Sequence, residues 1–569
     1  MINSKHKLLP ILITYFFWLL FNGLCLYFWL HFRIYCFDTS LFVIEVISSL
    51  LILILSYWPI DFLISSITTF VIYKKSTLEL HSINKLAILP KELPLIYSIH
   101  TICNDFSPAQ LEYCLKQTYS NVKWFILDDS TNLEMITQID NFVKQNKNIE
   151  IIRRPIEHVK QWRTRGGAIK YFVDNIKEFG LIPDYIALND STNLFEKDFL
   201  EKNLRFFYSS ANNGDLVAVQ EKYLSYPGGT LFSKYLYPLE ELVNYNTNLY
   251  ANFGATCNEF YLTGTLIKYN AFKEVPLTIV NNASPDTCSS FFMLKNNKKI
   301  LFSNLGSTYK LRPLNYNDRK NQLLKWNNAH INAIKKRFWK FSNNFFFNNY
   351  LFWRKINVIF LPFFVLFNWI NLFYLNPFVG STFYANYIFM IFFNLLFFAF
   401  FVNACLCFFK KMKFIYFLKF VFFQQILYMS LGLDLVIQII LNLFFNKNRR
   451  YIVTPKKSLL SNKFFISKIF YYFFIVLVIN SIFLIYVYFF KDYFVENFSN
   501  AGSIWYWINL YIPFLFFQFI FICKIFLYFI SLFNTKIDVN DSAFIKDVVE
   551  KNIYNYDFKN IKKITKEIK

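Results

Sequence analysis

Charge is scarce in this chain and unevenly placed. Charged residues make up 17% of the 569 positions, against 55% hydrophobic and 22% aromatic. Ordinary soluble domains carry more charge and less apolar material. Long stretches have no charge, while residues 74–340 hold most of it. A uniformly soluble chain is thereby excluded, and membrane segments around one large soluble domain are expected. Several motifs are missing as well. There is no phosphate-binding P-loop and no H-E-x-x-H zinc motif. The six histidines are isolated, and His158 and His330 are expected at the surface rather than as ligands. The nine cysteines, at 25, 36, 103, 114, 257, 288, 405, 407 and 523, have no zinc or redox spacing and read as reduced thiols. No basic stripe with interleaved aromatics lies in the soluble part, so no nucleic-acid partner is expected. The formal charge of +23 is read instead as positive-inside topology, because Lys and Arg gather where hydrophobic runs end. The apolar runs lack paired internal repeats and mid-depth charges, which counts against a transporter.

What is there begins with apolar runs. Leu8–Leu30 carries no charge and follows Lys5 and Lys7. A bilayer core needs about 20 helical residues, so this is a first span with its N-terminal side inside. It is too long, and lacks the small-residue cleavage site, for a signal peptide. Leu41–Ile60 is a second, and residues 1–75 form two N-terminal transmembrane helices. The uncharged stretch 356–409 fits two more spans around a turn at Asn376–Gly380, inside a region 341–411. Residues 412–463 form an interfacial or re-entrant segment and a loop: 412–445 has basic residues at both ends and is interrupted by Lys419, Gly432 and Asp434. Ile469–Phe490 and Phe498–Cys523 give spans five and six within 464–535, and 536–569 is a charged cytosolic tail.

The soluble middle, 76–340, alternates strands and helices. Leu95–Ile102, Val122–Leu127, Tyr185–Leu188 and Leu216–Val219 read as strands, and Pro108–Gln117 as a helix with Ser107 as its N-cap. This is α/β order. Ligands of such sheets bind beyond the carboxyl ends of strands, where Asp128-Asp129 and Asn189-Asp190-Ser191 stand. A diphosphate leaving group needs a hard cation held by oxygens, and sugar transfer needs a base for the acceptor proton.

In order along residues 95–460, these segments resemble glycosyltransferase family 2, in its membrane-embedded cellulose synthase-like branch. Thr101-Ile102-Cys103-Asn104-Asp105 resembles the family's P-T-Y-N-E, Asp128-Asp129-Ser130 its D-D-S, Arg165-Gly166-Gly167 its K-A-G, and Asp190-Ser191-Thr192 its D-x-D. Val219-Gln220 resembles the following V-Q strand, and Leu262-Thr263-Gly264-Thr265 the small-residue acceptor-side turn. Ser284-Pro285-Asp286 stands at T-E-D, Gln322-Leu323-Leu324-Lys325-Trp326 at Q-x-x-R-W, and Tyr451 to Lys456 at the F-x-V-T-x-K gating loop. Three positions depart from the pattern: Thr192 replaces an aspartate, Pro285 a glutamate and Lys325 an arginine.

The resemblance implies a multi-pass α-helical membrane protein with an inserted cytosolic α/β GT-A (nucleotide-diphospho-sugar transferase) domain, located in the cell membrane. It implies inverting transfer of a hexose from a UDP-sugar to a growing polysaccharide, exported through the chain's own spans, as in capsular or exopolysaccharide synthesis. Asp286 is then the general base. Thr101, Asp128, Asp129, Arg165, Gly167, Lys325, Thr454 and Lys456 bind the nucleotide sugar, Gln322 and Trp326 the acceptor, and Asp190 a Mg²⁺ or Mn²⁺ ion. The other partners implied are a glycan or lipid acceptor and membrane lipid. The tail is too short for a cyclic-dinucleotide-binding domain. Two other readings stay open: a non-processive transferase making a glycolipid, and a catalytically degenerate membrane accessory protein.

Overall fold

Apolar, β-branched and aromatic residues crowd Ile96–Ile102, and every one of them is buried in a central strand, β1. In the computed structural model, which describes residues 12–24, 27, 57, 60–61, 64, 88–162, 164–190, 193–209, 215–225, 232, 236–237, 261–276, 285–296, 298–310, 312–335, 414–445, 462–498 and 518–532, seven further strands join β1. They are β2 (Val122–Asp128), β3 (Ile149–Ile152), β4 (Tyr185–Asp190), β5 (Asn193–Phe195), β6 (Leu216–Ser225), β7 (Thr265–Lys268) and β8 (Lys299–Lys310). The sheet order is β3-β2-β1-β4-β7-β6-β8-β5. β1 runs parallel to β2 and β4, and β2 parallel to β3. β7 lies antiparallel between β4 and β6, and β8 is parallel to β6.

Burial on both faces explains the near-continuous apolar strands. Side chains alternate along β1 and β4. Tyr97, Ile99, Ile186 and Leu188 join one core with Phe172 and Val173 of α4 (Arg165–Asp174). Ile96, Tyr185 and Ala187 face the other, packed on Phe199, Leu200 and Leu204 of α5 (Phe199–Ser209). Two more helices pack on the sheet, α1 (Pro108–Cys114) and α2 (Leu133–Gln145), and the short α3 (Ile156–Gln161) follows β3 with no buried residue. Ser107 does stand at the cap of α1 in extended geometry, but its side chain makes no capping bond. α6 (Tyr269–Lys273) and α7 (Pro285–Lys295) follow β7, and α7 packs on β8.

Beyond the sheet, α8 (Tyr316–Lys335) packs against α9 (Phe414–Phe445). α9 is one unbroken helix through Gly432 and Asp434. Asp434 does not interrupt it because Lys524, on the helix Gln518–Ile530, pairs with it at 3.0 Å. Tyr316 and Leu324 of α8 share an apolar cluster with Leu427, Leu431, Leu435, Leu527 and Tyr528. Polar side chains pin this interface to backbone: Gln438 Nε2 donates to Leu324 O at 2.8 Å, and Gln424 Nε2 to Leu236 O at 3.0 Å. Lys335 Nζ reaches Asn442 Oδ1 at 2.8 Å.

Among the described residues two helical stretches are long and apolar enough to cross a membrane, Phe422–Asn442 and Lys463–Ile482. The second, in α10 (Asn462–Phe498), exposes large apolar side chains such as Phe470, Phe474, Leu477 and Ile482. Shorter apolar helices are Leu12–Leu24 and Gln518–Ile530, the latter running past the expected span end at Cys523. Nearly all of the expected span Leu41–Ile60, the whole of 356–409, and the tail 536–569 lie outside the described residues.

Candidate functional site

The chain leaves β1 for β2 and β3 on one side, then crosses to β4 on the other. Strand order therefore reverses between β1 and β4, and such a switch point opens a crevice at the carboxyl ends of the strands. The register sets Thr101 beside Asp190 there, and Ile102 beside Asp128. Thr101 Oγ1 lies 3.2 Å from Asn189 O and 3.4 Å from Asp190 Oδ1.

Asp190 is the hub of this edge. Its Oδ1 meets Arg165 Nη1 at 2.9 Å, and its Oδ2 meets Lys310 Nζ at 3.7 Å. Arg165 opens α4, whose N-cap Thr164 accepts from Gly167 N–H at 3.1 Å. Lys310 ends β8, in register with Asn193 of β5. Beneath Asp190 the strands are unexpectedly polar. His100 is fully buried, with Nε2 3.4 Å from Ser98 Oγ and Nδ1 3.4 Å from Asn189 Nδ2. Burial pushes the His100 imidazole down to about 3, so it stays neutral, with Asp190 opposing the shift and Arg165 adding to it.

The turn Leu262-Thr263-Gly264 closes one side. Leu262 and Gly264 both have left-handed backbones, at φ 52 and φ 59. A bulky residue there is uncommon and marks a turn held by its surroundings. Gln220 does much of the holding. Its Nε2 lies 3.1 Å from Thr263 O and Gly264 O, and its Oε1 accepts from Tyr261 N–H at 2.8 Å and Thr265 Oγ1 at 2.6 Å. A Cβ on Gly264 would come within 2.7 Å of Thr308 Oγ1. The turn presents Thr263 Oγ1 to Asp190 N–H at 3.2 Å and to Asn193 Nδ2, and Leu262 O to Arg165 Nη2.

Asp128 and Asp129 are both engaged by arginines that the sequence reading passed over. Asp128 Oδ1 accepts from Ser130 N–H at 2.9 Å, and its Oδ2 takes Arg153 Nε at 2.8 Å. Its side chain has no exposed surface, whereas Asp129 keeps 15%. Asp129 is gripped by both arms of Arg154, with Nε–Oδ1 at 2.9 Å. Arg154 also reaches Trp162 O at 2.9 Å and His158 Nδ1 at 3.2 Å. His158 is thus not a plain surface residue, and burial together with Arg154 pushes its imidazole below its usual range. Gly167 serves this packing, since a Cβ there would lie 2.7 Å from Trp162 O. The adjacent Arg153-Arg154 after an apolar strand was the only available signal. Asn104, at φ 57, ties the ends of β1 and β2 together: its Oδ1 accepts from Thr131 and Asn132 N–H, each at 2.9 Å.

The remaining expected residues lie on other elements. Asp286 is half-buried in the first turn of α7, where a carboxylate is favoured by the helix dipole. Gln322, Lys325 and Trp326 follow one another on α8. Gln322 Oε1 accepts from Arg319 Nη1 at 2.5 Å, and the Arg319 guanidinium stands 5.1 Å from the Trp326 ring centre. One face of that indole therefore already carries a cation. Thr192, Thr454 and Lys456 lie outside the described residues.

The donor set at Asp190 suits a hard cation only in company. It offers one carboxylate and the Thr101 hydroxyl; nearby, Asn193, whose Nδ2 shares Thr263 Oγ1 with Asp190 N–H, has a buried Oδ1 with no hydrogen-bond partner. No group of three acidic, His or Cys side chains that could hold a metal occurs among the described residues. Magnesium-type sites are commonly built from one or two carboxylates plus substrate phosphates, and these residues fit that pattern.

No family model matches the chain, and no curated protein matches it either. Among solved structures it is similar to a mannosyltransferase, PcManGT from Pyrobaculum calidifontis, in complex with GDP-Man and Mn²⁺. That likeness has 9% identity and a TM-score of 0.40, over 69% of this chain and 100% of the other. GalNAc-T7 with UDP, GalNAc and Mn²⁺ is similar at 10% identity and a TM-score of 0.28, over 39% of this chain and 44% of that one.

Proposed function

We propose that the chain is a membrane-bound glycosyltransferase with a GT-A type domain, moving a sugar from a nucleoside diphosphate donor to a hydroxyl acceptor. One observation carries the reading: Thr101, Asp190, Arg165 and Lys310 converge at the switch point of the sheet, with Asp129 at the end of the neighbouring strand. Two cations beside one carboxylate suit a diphosphate better than they suit a neutral ligand. A UDP-sugar is the preferred donor on the family resemblance of the ordered motifs.

In this reading Asp129 and its loop meet the nucleoside, while Arg165 and Lys310 bind the diphosphate. Asp190, with Thr101 and Asn193, would hold Mg²⁺ or Mn²⁺ against the donor phosphates. Such an ion supplies charge neutralisation as the nucleoside diphosphate departs. Lys325 adds positive charge, and Thr454 and Lys456 close over the nucleotide. Asp286 takes the acceptor proton as the hydroxyl attacks the anomeric carbon, inverting it. Gln322 and Trp326 orient the acceptor. The apolar side chains exposed along α10 support lipid surroundings for this part of the chain.

The test uses purified membranes, separate labelled UDP-hexoses and the Asp286→Asn variant. Labelled product that disappears with the variant is expected; undiminished transfer would remove Asp286 from its role. Product length on a gel separates polymer synthesis, with export through the spans, from a glycolipid. The paired state of Asp190 favours one second reading, a degenerate accessory protein, and UDP binding without turnover by the unaltered chain would establish it.

A further inference from the structure

Lys310 belongs to none of the sequence segments read for the donor site. It is brought there by β8, and its ammonium shares Asp190 with Arg165, one cation on each carboxylate oxygen. The three side chains are only 16%, 20% and 23% exposed, so solvent screens them less than a surface pair. A divalent cation approaching Asp190 by itself meets two positive groups that already hold its ligand. A nucleoside diphosphate carries two or more negative charges and offers both cations a better partner. Once they turn to it, the oxygens of Asp190 are open to a metal.

We propose, on the donor-site reading above, that Arg165 and Lys310 act as stand-ins for the divalent cation and make metal and donor binding conditional on each other. The coupling is reciprocal: donor tightens metal by the same factor that metal tightens donor. A factor of about ten to a hundred is typical of such linkage. Lys310 is on this account a positioning residue for Asp190 in the unliganded state and a diphosphate ligand in the bound one.

The test is made on the full chain in detergent with two probes measured separately. Mn²⁺ alone is titrated by the loss of its free-ion electron paramagnetic resonance signal, and UDP alone is titrated calorimetrically in EDTA, with GDP as a second arm. Lys310→Gln should bind nucleotide-free Mn²⁺ about tenfold more tightly and metal-free UDP about tenfold more weakly, while Lys310→Arg should restore both values. A merely structural lysine would not move the two affinities in opposite directions. Arg165→Gln serves as the second variant if Lys310→Gln fails to fold, with the same opposed changes expected. Unchanged or weakened Mn²⁺ binding in a folded variant, with UDP still bound by the unaltered chain, would overturn the coupling alone. Failure of the unaltered chain to bind UDP or GDP, with or without Mn²⁺, would overturn the donor-site reading and the coupling together.

Discussion

Two acidic strand ends flank β1 in this sheet, and they are built for different ends. At the end of β2, Asp128 has no exposed side-chain surface, and Asp129 is gripped bidentately by an arginine that is itself 2% exposed. At the end of β4, Asp190 is as exposed as Asp129, 16% against 15%, but it is held by one close cation and one looser one. The first is closed by charge-assisted bonds that satisfy most of its acceptors; the second is poised to exchange its partners. The same sequence signature, an aspartate after an apolar strand, thus yields a bidentate clamp in one place and a carboxylate shared between two cations in the other.

Substitutions at the two ends should separate them most sharply. Arg154→Ala leaves the Asp129 carboxylate half-enclosed without its partner, and breaking a buried pair this way costs about 3–5 kcal/mol. Chemical unfolding in detergent should register that loss, and Arg154→Lys should recover little of it because the fork is gone. Asp190→Asn should instead cost less stability, because its cations keep about a fifth of their side-chain surface and can turn to solvent, while transfer falls on the order of a thousandfold. If both variants lose only stability, or both lose only activity, the contrast between the ends is gone.

A smaller effect is expected at Gly264. Alanine there meets both the Thr308 side chain and an unfavourable left-handed backbone, so about 1–3 kcal/mol of stability should be lost in a thermal melt. Smaller still, per unit of pH, is the response of His100. Its folded value lies near 3, below the unfolded value of about 6.5, so the unfolded chain binds the extra proton. Stability is therefore fully present above about 6.5 and declines as pH falls toward 3, by at most about 1.4 kcal/mol per unit. His100→Gln should flatten that part of the unfolding-versus-pH curve, and an unchanged slope would place the titration elsewhere. The mildest change should be Trp326→Ala, raising the acceptor KM a few-fold, about 1 kcal/mol, with kcat retained.

Local pattern revealed much of the parallel half. β1, β2 and β4 fall within two residues of their expected limits, because buried strands are written as short apolar runs that end in polar residues. Motif order marks Arg165 for the donor side of the sheet, but not its pairing with Asp190. Lys310 could not, since its place depends on β8 pairing with β5 and on β7 entering the sheet antiparallel. Periodicity reports that a strand exists, not which strand it will lie against. For the same reason Gln220 read as part of a strand motif, when its side chain is the fastening of the Leu262–Gly264 turn. Gly432 and Asp434 looked like interruptions of 412–445, because nothing local announces that Lys524 will neutralise the aspartate.

The seam between α8 and α9 has a practical corollary. α8 begins soon after Lys310, and its Tyr316, Leu324 and Asn328 are buried against more apolar helices that lie 114 to 215 positions further along the chain. A fragment cut after residue 335 would keep the whole sheet yet strip that flank bare, leaving an adhesive patch where Gln438 and Gln424 now fasten to backbone carbonyls. Biochemists seeking a convenient water-soluble piece of this protein should expect precipitate, and should purify the intact chain with its greasy scaffold attached.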